Sequence, residues 1–112
     1  MKLVTKELLK KLQAQDPYFE GGCGRELPED ELKVVCKFFT PDASWTWYAC
    51  SGSVDPETGN IQFFGFVDGQ FPELGYFWLS DLESVRGGLG LPVERDLYWK
   101  EITLKELMEK FN

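Results

Sequence analysis

The sequence predicts the α+β class: a mostly antiparallel, strongly curled sheet of about five strands in meander order, with N-terminal, short internal and C-terminal helices. Its 112 residues fit one domain, 1–112. Hydrophobic side chains make up 43% of the chain and aromatic ones 15%, enough for a packed core. Helices and strands do not alternate as a parallel sheet requires, so we expect an antiparallel sheet with the helices on one face.

A short amphipathic helix is predicted near the N-terminus. Its apolar face collects Val4, Leu8, Leu9 and Leu12. Thr5 directly precedes this pattern and can accept a hydrogen bond from a free backbone N–H of the first turn, so the helix should cover about residues 5–13. Residues 16–31 then contain repeated glycines and prolines, which predict a flexible loop.

Four short stretches predict the strands of the meander. They are residues 32–39, 45–51, 61–67 and 74–79, each alternating or dense in aromatic and β-branched residues. Neighbouring aromatic residues such as Phe63 and Phe64 must point to opposite faces of a strand. Both faces of the sheet therefore carry rings. With helices on one face only, the other face needs either strong curling of the sheet or a partner surface, and both alternatives stay open.

Three further elements complete the predicted fold. Ser80 and Glu83 have the spacing of a capping box, which predicts a short helix before a glycine-rich passage. Residues 93–100 alternate and predict a fifth strand at the sheet edge. A second capping box, formed by Thr103 and Glu106, begins a terminal helix. The apolar stripe of that helix is Leu104, Leu107, Met108 and Phe111.

Histidine is absent from the sequence, which removes the commonest general base and metal ligand. The three cysteines, Cys23, Cys36 and Cys50, have neither the spacing of a zinc site nor the even number of a disulfide framework. We therefore expect a protein that is not an enzyme and that uses no cofactor or metal. There is no signal-peptide pattern and no apolar run of about 18 residues, which predicts a cytoplasmic protein without membrane contact.

The acidic excess is concentrated in the middle of the chain. The net charge is −7, and residues 38–99 hold nine acidic and two basic residues, whereas the segments on either side are neutral. Between Lys37 and Arg86 there is no lysine or arginine. The acids of this stretch are Asp42, Asp55, Glu57, Asp68, Glu73, Asp81 and Glu83. Turns and helix starts favour such acids one by one, but that preference does not account for the missing cations.

This charge pattern supports three hypotheses. The seven acids form a surface that attracts a basic protein, for example a nucleic-acid-binding defence protein approached as a DNA mimic, and that repels nucleic acid itself. Arg86 and Arg95 are expected in structural ion pairs with nearby acids. The second hypothesis instead makes these two arginines, with nearby carboxylates, the anion site of a small enzyme or ligand-binding protein. The third hypothesis is a structural or dimerising module, so a monomer and a homodimer both stay open.

Seven blocks of the sequence resemble those of a known family. They are MKLVTKELL at 1–9, KFFTPD at 37–42, WTWY at 45–48, FFGFV at 63–67, ELGYF at 73–77, LESVRG at 82–87 and GLPVERDLY at 90–98. Over nearly its whole length the chain resembles domain of unknown function 2958, with departures at 21–24, Trp78 and Gly88. The resemblance implies an uncharacterised family of small proteins from bacterial plasmids, integrative elements and phages. It adds the hypothesis of an inhibitor of a host defence complex, of the anti-CRISPR or antirestriction type.

Overall fold

The computed structural model describes residues 2–111 and has the predicted α+β architecture. Its elements, in chain order, are α1 (Lys6–Ala14), β1 (Lys33–Val34), β2 (Cys36–Phe39), β3 (Thr46–Val54), β4 (Ile61–Asp68), β5 (Pro72–Trp78), α2 (Leu79–Ser84), β6 (Glu94–Arg95), β7 (Ile102–Thr103) and α3 (Leu104–Glu109). The loop predicted at 16–31 contains turns and no helix or strand.

Five strands form the main antiparallel sheet, in the order β5-β4-β3-β2-β6. The predicted meander is confirmed, because β2, β3, β4 and β5 each pair with the next strand along the chain. The predicted strand at 93–100 is wrong in length. Within this stretch only β6 pairs with β2. The N–H of Asp96 still donates to the carbonyl of Lys37. The chain then turns, and the N–H of Tyr98 donates to the carboxylate of Asp96.

A second, two-stranded sheet divides the strand predicted at 32–39. β1 pairs with β7, a strand that the sequence does not predict, whereas β2 belongs to the main sheet. The break falls at Val35, whose N–H donates to the carbonyl of Ala49. One alternating stretch therefore serves two sheets, because its first half finds its partner in the distant segment 102–103.

Side-chain caps begin two of the three helices. The Thr5 hydroxyl accepts from the N–H of Leu8 at the start of α1, as predicted. At the start of α3 the capping box of Thr103 and Glu106 is confirmed. The corresponding prediction for α2 is wrong: this helix starts at Leu79, and no side chain caps it.

The Ser80 hydroxyl is used elsewhere. It accepts from the side-chain amide of Asn60, at 2.9 Å, and the N–H of Ser80 donates to the same side chain. These two bonds attach the first turn of α2 to the turn between β3 and β4. A tertiary contact thus replaces the local cap that the sequence indicated.

Helices cover both faces of the main sheet, so the prediction of helices on one face is wrong. The first face carries Trp47 and Phe63 and packs against Leu12 of α1 and Leu82 of α2. The second face carries the neighbouring side chains, which pack against α3. Its buried cluster contains Tyr48, Cys50, Phe66, Leu104 and Leu107. α3 supplies the cover that curling was expected to supply, and strong curling of the sheet stays a prediction.

At a bulge in β3, the residue that follows α1 is bonded to both sheets. The pairing of β3 with β4 shifts register between Ala49 and Ser51, leaving Cys50 as the extra residue. The Gln15 side chain donates to the carbonyl of Cys50, at 2.7 Å, and to the carbonyl of Lys33, at 2.8 Å. Its amide oxygen accepts from the N–H of Lys33, at 2.8 Å. One amide side chain therefore satisfies backbone groups at the bulge and at the edge of β1.

Candidate functional site

The predicted acids lie at two opposite ends of the main sheet. Asp68 ends β4 and pairs with Thr46, near the turn that contains Asp42. Asp55 and Glu57 lie in the turn at the other end of β4. The eight residues of β4 separate the two ends by about 23 Å, at the usual rise per strand residue. The acids therefore form two groups rather than one continuous patch.

The remaining acids divide between the same two ends. Glu73 lies opposite Val67 near the beginning of β5, on the side of Asp68. Asp81 and Glu83 belong to α2, whose first turn is bonded to Asn60, so they lie on the side of Asp55 and Glu57. A cavity of about 280 Å³ is lined by Glu83 together with two lysines, Lys2 and Lys6. Cations therefore border the acidic group at the α2 end.

Asp42 has a structural role. One carboxylate oxygen, Oδ2, accepts from the N–H groups of Leu89, at 2.6 Å, and Leu91, at 3.4 Å. The other oxygen, Oδ1, is buried without a hydrogen-bond partner. It lies against Gly87, where an added Cβ would clash with the carboxylate. Asp42 thus anchors the glycine-rich loop to the turn between β2 and β3.

The ion pairs of the described chain do not use the predicted acids. Within residues 2–111 the three pairs are Lys11 with Glu101, Arg25 with Glu31, and Lys37 with Asp96. Exposed acids such as Glu57, Glu73 and Asp81 contribute to none of them. Their charge faces solvent and is not compensated by an ion pair, so added salt screens it.

Both arginines of the acidic stretch donate to backbone carbonyls. Nη1 of Arg86 lies 2.8 Å from the carbonyl oxygens of both Glu83 and Val85, so the contact with Glu83 is to its main chain and not to its carboxylate. Nη1 of Arg95 donates to the carbonyls of Lys2 and Leu3, at 2.9 and 2.8 Å. Neither arginine lines the two cavities described in this section.

A cavity of about 530 Å³, which we call the groove, lies on the second face of the sheet. Its floor crosses β3, β4 and β5, where Ser51 pairs with Phe64 and Phe64 pairs with Tyr76. Its wall is the chain that follows α1, with residues 15–18 and 26–27 facing the floor. None of the described residues that line the groove belongs to α3.

Aromatic rings and unpaired polar groups line the groove together. The rings of Phe64 and Tyr76 have centroids 5.1 Å apart, and Tyr76 is 71% exposed. On the floor the side chains of Ser51, Ser53 and Gln62 are half-buried, and within residues 2–111 they make no hydrogen bond. These groups are available to a ligand or to water.

The charges in the groove have one sign. Asp16 and Glu26 line it, and none of its lining residues is a lysine or arginine. Asp16 is only 9% exposed, and its Oδ1 accepts from the N–H of Tyr18, at 3.0 Å. Arg25, the one basic residue of the loop at 16–31, is paired with Glu31 at 2.7 Å.

Sequence analysis did not identify the groove. Residues 16–31 contain six acids and one arginine, but the lysines of α1 cancel this excess when residues 1–37 are counted together. A shorter counting window would have shown the acidic loop. No single stretch of the sequence predicts the floor of the groove, because its residues come from three strands that meet only in the folded sheet.

Two of the thiols are unsuited to nucleophilic chemistry. Burial raises the pKa of Cys36 and of Cys50 to about 12, so both are protonated at neutral pH. Among residues 2–111 no three Cys, Asp or Glu side chains are grouped so that they could hold a metal ion. No helix of this part of the chain is long and apolar enough to cross a membrane.

Comparison with known proteins identifies one family. A family model described as a protein of unknown function (DUF2958) matches residues 3–109. No curated protein and no solved structure matches the chain.

Proposed function

We propose that this chain, which belongs to the DUF2958 family, is a non-catalytic acidic module that binds a basic surface of a partner protein. The observation that carries the proposal is the unneutralised charge of the sheet region. Residues 38–85 contain no lysine or arginine, and exposed acids within them, such as Glu57 and Asp81, take part in none of the three ion pairs of the described residues.

Such a charge distribution favours a basic partner for an electrostatic reason. Exposed carboxylates that take part in no ion pair create a negative potential, which raises the association rate with a positive surface and repels phosphate groups. The separation of the acids into two groups at the ends of β4 supports a partner with basic residues spaced over a comparable length. Asp42 is not expected to contribute, because its carboxylate is held by the loop at 87–91.

The resemblance implies that the family comes from mobile genetic elements, and this expectation supports a more specific proposal for the partner. We propose that the partner is a nucleic-acid-binding protein of a bacterial defence complex and that the acids occupy its DNA-binding surface as a DNA mimic. The two arginines give little support to the alternative of an anion-binding enzyme, since the bonds described for Arg86 and Arg95 go to backbone carbonyls.

The test is affinity capture from bacterial lysate at low salt, with a pair of charge-matched variants. Glu57→Lys with Asp81→Lys changes two exposed acids of the sheet region, whereas Glu7→Lys with Glu109→Lys makes the same charge change on α1 and α3. We expect a basic partner that is released by added salt, lost with the first variant and kept with the second. Equal capture by both variants would contradict the proposal.

DNA mimicry has its own measurement. Once a partner is captured, double-stranded DNA is added to the purified complex. Competition between DNA and this chain for the partner supports mimicry. A complex that binds DNA and this chain at the same time excludes it, while a basic protein partner would still stand.

A further inference from the structure

We infer that the groove is a recognition site for an arginine side chain presented by a partner protein. This inference rests on the proposed function and gives it a specific contact, a groove on the second face whose lining includes none of the seven acids of the sheet region. Three features of the groove carry it: a one-sided charge, exposed rings, and polar groups without partners.

The charge of the groove selects a cation. Asp16 and Glu26 both line it, and no lysine or arginine does. Asp16 is 9% exposed, and its Oδ2 makes no hydrogen bond within residues 2–111. A neutral apolar ligand would remove the remaining water from this carboxylate without compensating it, and an anion would be repelled. A positively charged group compensates it directly.

The rings of the groove favour a planar cation. Tyr18, Phe64 and Tyr76 lie along the groove, and Tyr18 and Tyr76 are 86% and 71% exposed, so their faces are open to a ligand. A guanidinium group stacks on such faces by cation–π attraction, and arginine does so more often than lysine. Rings left this exposed in the free protein gain burial when a ligand covers them.

The floor of the groove offers acceptors in several directions. Ser51 and Ser53 provide hydroxyl oxygens and Gln62 an amide oxygen, and within residues 2–111 none of the three side chains is hydrogen-bonded. Together with the two carboxylates they match the five N–H donors of a guanidinium better than the three of an ammonium. The cavity of about 530 Å³ also leaves room for the main chain on either side of the arginine.

The probe is a nine-residue glycine–serine peptide with one central arginine, compared with the same peptide carrying citrulline, which keeps the shape and loses the charge. Backbone amide shifts report where each peptide binds. We expect the arginine peptide to shift the amides of residues 16–18, 26–27, 62–64 and 76. The citrulline peptide should bind about three- to tenfold more weakly. Equal binding of both peptides, or shifts confined to the segments that carry the seven acids of the sheet region, would overturn the inference.

Two variants with unchanged net charge test whether the peptide binds because of the groove or because of a general attraction to an acidic protein. Tyr76→Ala removes a groove ring and should weaken the arginine peptide by about three- to tenfold. The matched control is Tyr98→Ala, which removes a 90% exposed ring outside the groove and should leave binding unchanged. A second pair removes one negative charge in each member: Glu26→Gln, in the groove, should weaken binding more than Glu29→Gln, which lies outside it.

The two proposals can fail separately. If Tyr76→Ala leaves peptide binding unchanged while lysate capture still depends on Glu57 and Asp81, the groove is not the arginine site and the proposed function stands. If capture is insensitive to those acids while the peptide still binds in the groove and distinguishes Tyr76→Ala from Tyr98→Ala, the arginine site stands without the wider acidic surface.

Discussion

The two faces of the main sheet differ in how completely they are covered. On the first face α1 and α2 bury Phe38, Phe63 and Phe77. On the second face α3 covers Tyr48 and Phe66, whereas Phe64 is only partly buried against this cluster and Tyr76 is exposed, and both line the groove. The same strands supply both faces with rings. Whether a ring becomes core or binding surface therefore depends on the reach of the helix above it.

The largest expected effect comes from deleting neighbouring rings on opposite faces. Phe63→Ala removes a ring that is 0% exposed and lies 5.7 and 5.2 Å from the rings of Phe38 and Phe77. We expect a loss of about 3–5 kcal/mol in the free energy of unfolding, measured by urea denaturation. Phe64→Ala, on the half-buried side, should cost about 1–2 kcal/mol. Similar losses for the two variants would show that the faces are equally packed.

An intermediate effect is expected at alkaline pH, because each face contains one buried thiol. Cys36 packs in the cluster of the first face and Cys50 in that of the second. Burial raises the pKa of both from the ordinary value of 9.0 to about 12. The unfolded chain therefore releases these protons above pH 9 while the folded chain keeps them, so stability falls as pH rises from about 9 towards 12.

The size of this effect follows from the same shifts. At pH 10 the two thiols together should lower the free energy of unfolding by about 3 kcal/mol relative to pH 8. Cys36→Ala and Cys50→Ala should each remove about half of that pH dependence. If only one of the buried cysteines contributes, water reaches the thiol on the other face.

The smallest expected effect concerns Gln15, whose side chain connects the main sheet to the two-stranded sheet. Gln15→Ala removes the bonds to Lys33 and Cys50 and leaves a partly buried carbonyl at the bulge without its partner. We expect a loss of about 2 kcal/mol, together with faster hydrogen exchange of the Lys33 amide. Gln13→Ala, in the last turn of α1, is the control. A loss below about 0.5 kcal/mol for Gln15→Ala would indicate that water replaces these bonds.

The parts of the fold that local chemistry determines could be predicted from the sequence. Thr5 and Thr103 each cap the helix that follows them, and the four strands of the meander pair with their sequence neighbours. The predictions are wrong where a residue distant in the sequence binds the hydrogen-bonding group to which the local pattern had assigned another partner. Ser80 bonds to Asn60 instead of capping its own helix, and the stretch at 32–39 breaks because its first part pairs with β7.

The candidate site was less predictable for a related reason. The acidic excess can be read from composition, but composition does not indicate that β4 separates the acids into two groups or that Asp42 bonds to the loop at 87–91. The groove needs contributions from the chain after α1 and from three strands. None of these segments carries a motif of its own, so only the folded arrangement brings their side chains together.

The pairing of β1 with β7 has a consequence for the order in which the molecule is made. Residues 33–34 can pair with residues 102–103 only after the intervening chain has been synthesised. Since α3 directly follows β7, the rings of Tyr48 and Phe66 lack their cover until that late stage. The nascent chain therefore carries an exposed aromatic surface while it leaves the ribosome, a period in which association with other chains competes with folding.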